Sequence, residues 1–447
     1  MTTAISWIPK GVLKSEPFAA ADLTSGDTID VDEVLDAQVA QALARAINNG
    51  KSSSSAIGNK RDDDAITLAM EDLHMENYDD EDEDDLYYGS GESDPYLEDK
   101  NDVDDSEELE DMIIKPTDSL IALARDEVIE VRILEDSTMN NYVHHHFEIA
   151  ASPLCIAWLE PSLKGEETGN LLAVGSMETF IEIWDLDDID AVEPCAVLGG
   201  ITIEEKRRRK KKSIKSKGDC HTDSVLGLAW NKCRYRLASA SADKQVKIWD
   251  IAAEKCCTTM KHHSDTVQAV AWNHGDPDVL LSGSYDHTVA MNDWRIPSRS
   301  VYKWSVTADV ECLAWDPHNE HFFVVSLEDG IVKCFDKRNA KSDSTSDLSS
   351  FTLDAHDKAV QSVSYNPSAP NLLATGSEDQ TVKLWDLSNN QPSCVASKTS
   401  EVGAVFSISF SADNPFVLAI GGTYKGLQIW DTLSDFGIST RYKNYKV

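Results

Sequence analysis

The chain has 447 residues, with 78 acids against 41 bases for a net charge of -37, and 41% of it is hydrophobic. That apolar share is enough for a sizeable core. No apolar run approaches the ~18 residues of a membrane span, and Met1 to Lys10 has no basic segment followed by an apolar run, so neither a membrane nor a secreted protein is expected. Nine cysteines without a CxxC pair read as reduced thiols of cytosol or nucleus, not as a disulfide frame or zinc site. So strong an anion is a poor general binder of nucleic acid, because phosphate repels it.

The first element is a strand at residues 4–9, within an N-terminal piece spanning 1–19. Ile5-Ser6-Trp7-Ile8-Pro9 matches Ile156-Ala157-Trp158-Leu159-Glu160-Pro161 further on. Residues 20–112 then read as an acidic, mostly disordered insertion. It opens with an amphipathic helix, since Val31, Leu35, Val39, Leu43 and Ile47 recur every four residues and Asn48-Asn49-Gly50 stops them. Two readings of that helix stand, one packed on the main domain and one docking a partner.

Residues 62–111 hold 24 acids and one base, Lys100. Asp79, Asp80, Glu81, Asp82, Glu83, Asp84 and Asp85 run unbroken. Such a block buries too little apolar surface to offset chain entropy. It is either a solvated tail or an arm that holds basic clients. Ser106, followed by Glu107 and Glu108, is a candidate phosphosite, although Leu109 stands where an acid-directed kinase prefers an acid.

From residue 113 onward the chain repeats itself. IEIWD, VKIWD, VAMND, VKCFD, VKLWD and LQIWD end at Asp185, Asp250, Asp293, Asp336, Asp386 and Asp431, in steps of 65, 43, 43, 50 and 45 residues. An aromatic closes an alternating strand at the same pace, at Trp158, Trp230, Trp272, Trp315, Tyr365 and Phe410. Small-residue strands lie between, and turns follow at Asp243, Asp286, Asp329 and Asp379, with Asp329-Gly330 a strong two-residue turn. A unit of about 43 residues with four short strands is a propeller blade.

These residues resemble the WD-repeat family. The resemblance implies a polar network in two blades, one of His221, Ser239, Asp243 and Trp249, the other of His356, Thr375, Asp379 and Trp385. Indole, hydroxyl, imidazole and carboxylate are expected to bond in series and to fix the register. A third set, His263, Ser282 and Asp286, has Asn292 in place of the Trp, so that network is expected to be broken or water-filled. Ser, His and Asp together also invite a hydrolase reading. Their recurrence at blade spacing and the absence of a GxSxG elbow argue against it.

The ends complete the count. Leu120 to Ala124, Val128 to Leu134 and Tyr142 to Ile149 read as three strands lacking an inner partner, which the Trp7 strand supplies. The first blade is therefore split around the acidic insertion, and Gly437 to Tyr445 is expected as a last outer strand. The fold expected is an all-β, seven-bladed propeller over residues 113–447, closed by the N-terminal strand. His144-His145-His146 is not expected to bind a metal, because successive strand residues point to opposite faces.

The long step carries Lys206, Arg207, Arg208, Arg209, Lys210, Lys211 and Lys212, within a basic loop at 204–217. This cluster reads as a nuclear localisation signal, with RNA contact and plain solvation as the other readings. Asn292-Asp293-Trp294-Arg295 and Phe335-Asp336-Lys337-Arg338 keep the Asp and Arg of a W-D-x-R ending, with the Trp lost. Arg295 and Arg338 are thus candidate contacts to a ubiquitin-ligase adaptor.

Beyond the repeats, the chain resembles the periodic tryptophan protein 1 subfamily. The resemblance rests on Ser6-Trp7-Ile8-Pro9-Lys10-Gly11, Asp94-Pro95-Tyr96, Ile114-Lys115-Pro116-Thr117-Asp118, Tyr142-Val143-His144-His145 and the basic insertion after the second blade. It implies a nuclear and nucleolar protein of ribosome production, with links to large-subunit precursors, rRNA processing and chromatin. The expected partners are pre-ribosomal proteins, pre-rRNA, and histones or other basic proteins. No cofactor, metal, membrane or small-molecule substrate is expected. The competing function is a substrate receptor of a cullin-type ubiquitin ligase.

Overall fold

A computed structural model describes residues 1–13, 113–136, 138–160, 169–206, 211–216, 220–296, 301–339, 348–424 and 426–445. The predicted helix at 31–47, the acidic run Asp79–Asp85, Ser106 and Arg207–Lys210 lie outside the described residues.

The first blade pairs β1 (Thr2–Ile8), β2 (Ser119–Arg125), β3 (Val128–Leu134) and β4 (Asn141–Glu148) in that order. Its inner strand therefore comes from the other side of the long insertion. Ser6 stands opposite Ala122 and Trp7 opposite Ile121. The second blade comprises β5 (Pro153–Leu159), β6 (Leu171–Ser176), β7 (Ile181–Asp185) and β8 (Ala196–Leu198). Where a basic loop was expected, β9 (Ile201–Lys206) and β10 (Lys211–Ser216) form a separate hairpin, with Lys206 opposite Lys211. Ile203 stands opposite Ile214, so the flanks of the basic run carry the β-branched residues that favour strand pairing.

The third blade is β11 (Val225–Asn231), β12 (Arg236–Ser241), β13 (Val246–Asp250) and β14 (Lys255–Met260). The fourth is β15 (Val267–Trp272), β16 (Val279–Ser284), β17 (Thr288–Asp293) and β18 (Tyr302–Ser305). The fifth is β19 (Val310–Trp315), β20 (Phe322–Leu327), β21 (Ile331–Asp336) and β22 (Ser349–Asp354). The sixth is β23 (Val360–Tyr365), β24 (Leu372–Ser377), β25 (Thr381–Asp386) and β26 (Ser393–Thr399).

The seventh blade has three strands, β27 (Val405–Phe410), β28 (Val417–Gly422) and β29 (Leu427–Asp431). The expected outer strand at 437–445 is instead a helix, α1 (Phe436–Tyr442), followed by a 3-10 turn at Lys443–Tyr445. Ile438, Thr440 and Tyr442 suit a strand by alternation, but Ile438 and Tyr442 also share a helix face. Both are buried in the cluster formed by the sixth and seventh blades. The carboxylate of Asp435, at the helix N-cap, accepts the Trp430 indole N–H at 3.0 Å, which fixes where the helix begins.

The cores lie between blades. Ile8, Leu120, Ile129 and Phe147 pack with Leu172 and Trp184 of the next blade, while Ile121 and Leu123 pack with Ala419 and Leu427 across the seam. Three tryptophans that end inner strands also bond across these boundaries, whereas the buried indole nitrogens of Trp158 and Trp230 find no partner among the described residues. Trp272 Nε1–H donates to the Ala229 carbonyl at 3.0 Å, and Trp315 Nε1–H to Ala271 at 3.2 Å. Trp7 Nε1–H donates to Ser409 at 2.9 Å and so makes the same bond across the ring closure. The Asp329-Gly330 turn needs its glycine. Gly330 has φ +86°, and a Cβ there would lie 2.1 Å from the His356 carbonyl oxygen.

Candidate functional site

The sequence-predicted polar residues converge inside the blades. In the third, Trp249 Nε1–H donates to Ser239 Oγ at 2.8 Å, Ser239 Oγ lies 2.7 Å from His221 Nε2, and His221 Nδ1 lies 2.8 Å from Asp243 Oδ2. The indole is a donor only, so the hydroxyl accepts from Trp249 and gives its own proton to His221 Nε2. Nδ1 then carries the ring hydrogen and donates it to Asp243. The sixth blade repeats this, with Trp385 to Thr375 at 2.9 Å, Thr375 to His356 at 2.7 Å and His356 to Asp379 at 2.8 Å. Each carboxylate also accepts from the turn backbone, Asp243 from Thr222 and Gln245, and Asp379 from Thr381. The network thereby ties the loop that enters each blade's inner strand to the turn between its second and third strands.

The fourth blade corrects the expectation of a broken network. His263 bonds Asp286 at 3.0 Å and Ser282 at 2.9 Å, as in the other two blades. The missing indole is replaced by His262, whose Nε2 lies 2.9 Å from Ser282 Oγ. Asn292, at the Trp position, directs its amide to His262 Nδ1 at 3.5 Å and to the Met260 sulfur at 3.7 Å. The smaller Asn leaves room for the imidazole to enter. The His262-His263 doublet was the sequence signal for this substitution.

The order hydroxyl, imidazole, carboxylate is also that of a hydrolase triad. Here Ser239 and Thr375 are fully buried, and their oxygens are occupied by an indole N–H as well as an imidazole. These sets organise the blade.

Burial disfavours the charged form of Asp243, Asp286 and Asp379, yet imidazole and turn hydrogen bonds hold all three below the usual carboxylate range. Burial lowers His356 despite the opposing Asp379. It also lowers His262 to about 3, aided by His263, and His145 to about 3, aided by its neighbouring histidines. These directions agree on the effect of acid. Depressed carboxylates contribute stability above pH ~4 that is lost as pH falls through their folded values. A depressed histidine is charged in the unfolded chain below pH ~6.5 and stays neutral in the folded one, so stability falls from there towards pH 3. We expect melting temperature to decline from pH 7 to pH 4. His145→Phe and His262→Gln should each flatten the upper part, by at most ~1.4 kcal/mol per pH unit. Urea titrations at stepped pH measure this, and equal slopes in parent and variants would contradict it.

The remaining candidates occupy the rim. Arg295 pairs with Asp293 and Asp278, both at 2.8 Å, and Arg338 with Asp336 at 2.6 Å. Both guanidinium side chains are about half exposed, at 51% and 58%. Lys206, Lys211 and Lys212 sit on the hairpin backbone described above. A bulge opposite Val131 and Arg132 takes His144 out of register, so its Nδ1 lies 2.7 Å from that of His145. Among the described residues, no three His, Cys, Asp or Glu side chains gather as a metal site.

Sequence reasoning missed a pocket between the fifth and sixth blades, lined by Asp316, Phe322, Cys334, Phe351, Tyr365 and Leu387 among others. Its residues come from several strand ends and loops, and no local pattern joins them.

The WD domain, G-beta repeat model matches residues 212–250, 254–293, 298–336 and 348–386. An uncharacterized WD repeat-containing protein of Schizosaccharomyces pombe is 36% identical over 72% of this chain and 62% of its own length. The periodic tryptophan protein 1 homolog of Drosophila melanogaster is 31% identical over 68% of this chain and 64% of its own. Periodic tryptophan protein 1 of Saccharomyces cerevisiae is 28% identical over 91% of this chain and 83% of its own. The match thus spans somewhat under two thirds of the first two relatives. A chain in the crystal structure of a mitotic checkpoint complex shares the fold, with a TM-score of 0.52 at 18% identity over 70% of this chain and 83% of that one. With its repeats, its seven blades and these relatives, the chain belongs to the WD-repeat family and resembles periodic tryptophan protein 1 over most of its length.

Proposed function

We propose that the protein is a non-catalytic scaffold of ribosome biogenesis in the nucleus and nucleolus, acting in large-subunit precursor assembly and rRNA processing. The observation that carries this reading is the similarity to yeast periodic tryptophan protein 1, which reaches 91% of the chain and so extends beyond the repeats. The geometry is consistent with it. The Ser, His and Asp sets are consumed inside the blades, leaving rims and appendages for binding. A link to chromatin or rRNA-gene transcription belongs to the same proposal.

The acidic segment 62–111 supplies the charge to hold basic ribosomal proteins or histones. Such contacts are salt-labile, because screening contracts to ~3 Å at 1 M salt. Rim contacts that bury apolar area are less so. The test is affinity purification of full-length and 62–111-deleted protein, washed at low and high salt. The deletion should remove a salt-labile fraction of partners and spare a salt-resistant one containing large-subunit precursors. Identical partners at every salt would reduce the segment to a solubilising tail. Recovery of a cullin and its adaptor in place of precursors would favour the ligase receptor.

The cluster Lys206–Lys212 serves as the import signal in this proposal. Replacing all seven residues with neutral ones should move the protein towards the cytoplasm and leave its melting temperature nearly unchanged. Imaging of a tagged variant reads this directly. Unaltered localisation would reassign the cluster to RNA contact or solvation.

A further inference from the structure

The pocket between the fifth and sixth blades has a volume of 260 Å³. This falls just below the ~300 Å³ at which small-molecule sites begin, and far exceeds the ~30 Å³ share of one water. It is a space for one long side chain. Three six-membered aromatic rings line it, Phe322, Phe351 and Tyr365, beside the His318 imidazole, whose Nε2 bonds the Asn366 carbonyl at 3.1 Å. With them is a carboxylate, Asp316, whose Oδ1 accepts the His318 backbone N–H at 2.9 Å. Among the described residues no cation pairs with Asp316. Tyr365 is 9% exposed, and its hydroxyl makes no hydrogen bond among the described residues. Burial, with Cys334 and Asp316 nearby, raises the phenol well above its ordinary range, so it stays protonated.

We propose that this pocket receives an arginine side chain from a basic partner protein. Arginine satisfies each feature at once. Its planar guanidinium stacks on aromatic faces, its fork of donors suits the free carboxylate oxygen, and a further N–H can meet the phenol oxygen. The Phe322 ring already attracts such a group, since the guanidinium carbon of Arg338 lies 5.9 Å from its centre. Arg338 is itself paired with Asp336 through several bonds, the shortest 2.6 Å, so it leaves Asp316 unneutralised. An anionic ligand would meet Asp316, and a purely apolar one would bury that carboxylate without a partner. The chain's net charge of -37 selects basic partners before contact. The inference does not depend on which assembly the protein serves.

The test uses full-length protein with methyl-labelled leucines and capped pentapeptides of glycine flanking arginine, citrulline, lysine or leucine. The arginine peptide should shift the Leu387 methyl signals. Citrulline keeps the shape without the charge and should bind at least about tenfold more weakly. Asp316→Asn retains the oxygen that accepts from His318, so the variant should melt like the parent and bind arginine at least about tenfold more weakly. Tyr365→Phe, which keeps the ring, should weaken it about fivefold. Three results would overturn the assignment: no shift with the arginine peptide, equal binding of lysine or leucine, or unchanged affinity in both variants.

Discussion

Deletion of Met1 to Lys10 should abolish the single cooperative melting transition of the propeller. The segment is short, but β1 fills the inner edge of the first blade and lies between β5 and β27 in the ring. It also makes bonds no other segment replaces. Thr3 Oγ1 donates to the Pro153 carbonyl at 2.8 Å, the Ile5 backbone N–H to Ser407 Oγ at 3.1 Å, and the Lys10 backbone N–H to Asp413 at 2.9 Å. Without it, β2 presents an unpaired edge and the cores on both sides of the first blade lose Ile5, Trp7 and Ile8. Point variants grade the effect. Ile8→Ala, at a site 1% exposed, should cost about 2–5 kcal/mol. Trp7→Phe, which loses the N–H to Ser409, should cost about 1 kcal/mol plus any packing loss. A truncated protein that melts cooperatively at the parent temperature would show that the ring closes without this strand.

Thr375→Val should be nearly as informative while changing no shape. It deletes one hydroxyl and leaves two buried groups unpartnered, the Trp385 indole N–H and His356 Nε2. Each such group costs about 1–3 kcal/mol, so a loss of about 2–6 kcal/mol is expected. Trp385→Phe in the same background should then cost less than in the parent, because its donor has already lost its acceptor. Chemical denaturation of the four proteins in that cycle measures the coupling. Additive losses would mean that the blade network is not a unit. In the fourth blade the same test with Ser282→Ala and His262→Phe should also show coupling, because His262 occupies the indole's role there.

The split blade was legible because Ile5-Ser6-Trp7-Ile8-Pro9 repeats the apolar spacing and terminal proline of a strand already identified. The paired networks were legible because histidine and aspartate keep a nearly fixed separation, set by one strand and its turns. The same periodic logic failed where a residue departs from its repeat. Asn292 signals a lost indole and the His262-His263 doublet offers a second imidazole, but the packing around Met260 is what places His262 in the gap. At the C-terminus, Ile438 and Tyr442 fit a strand face and a helix face alike, and the choice is made by the cluster they join and by Asp435 capturing Trp430. The pocket was illegible for a different reason. Asp316 follows one blade's inner strand and Leu387 follows another blade's third strand, so only the assembled ring brings them together.

The scaffold reading is tested most directly by gradient sedimentation of the endogenously tagged protein from nuclear extract, with and without ribonuclease. The account predicts that the protein travels with large-subunit precursors carrying incompletely processed rRNA, and that ribonuclease releases it to slower fractions. A protein found wholly as a free species near its own 49.4 kDa, or with a cullin and its adaptor, would contradict it.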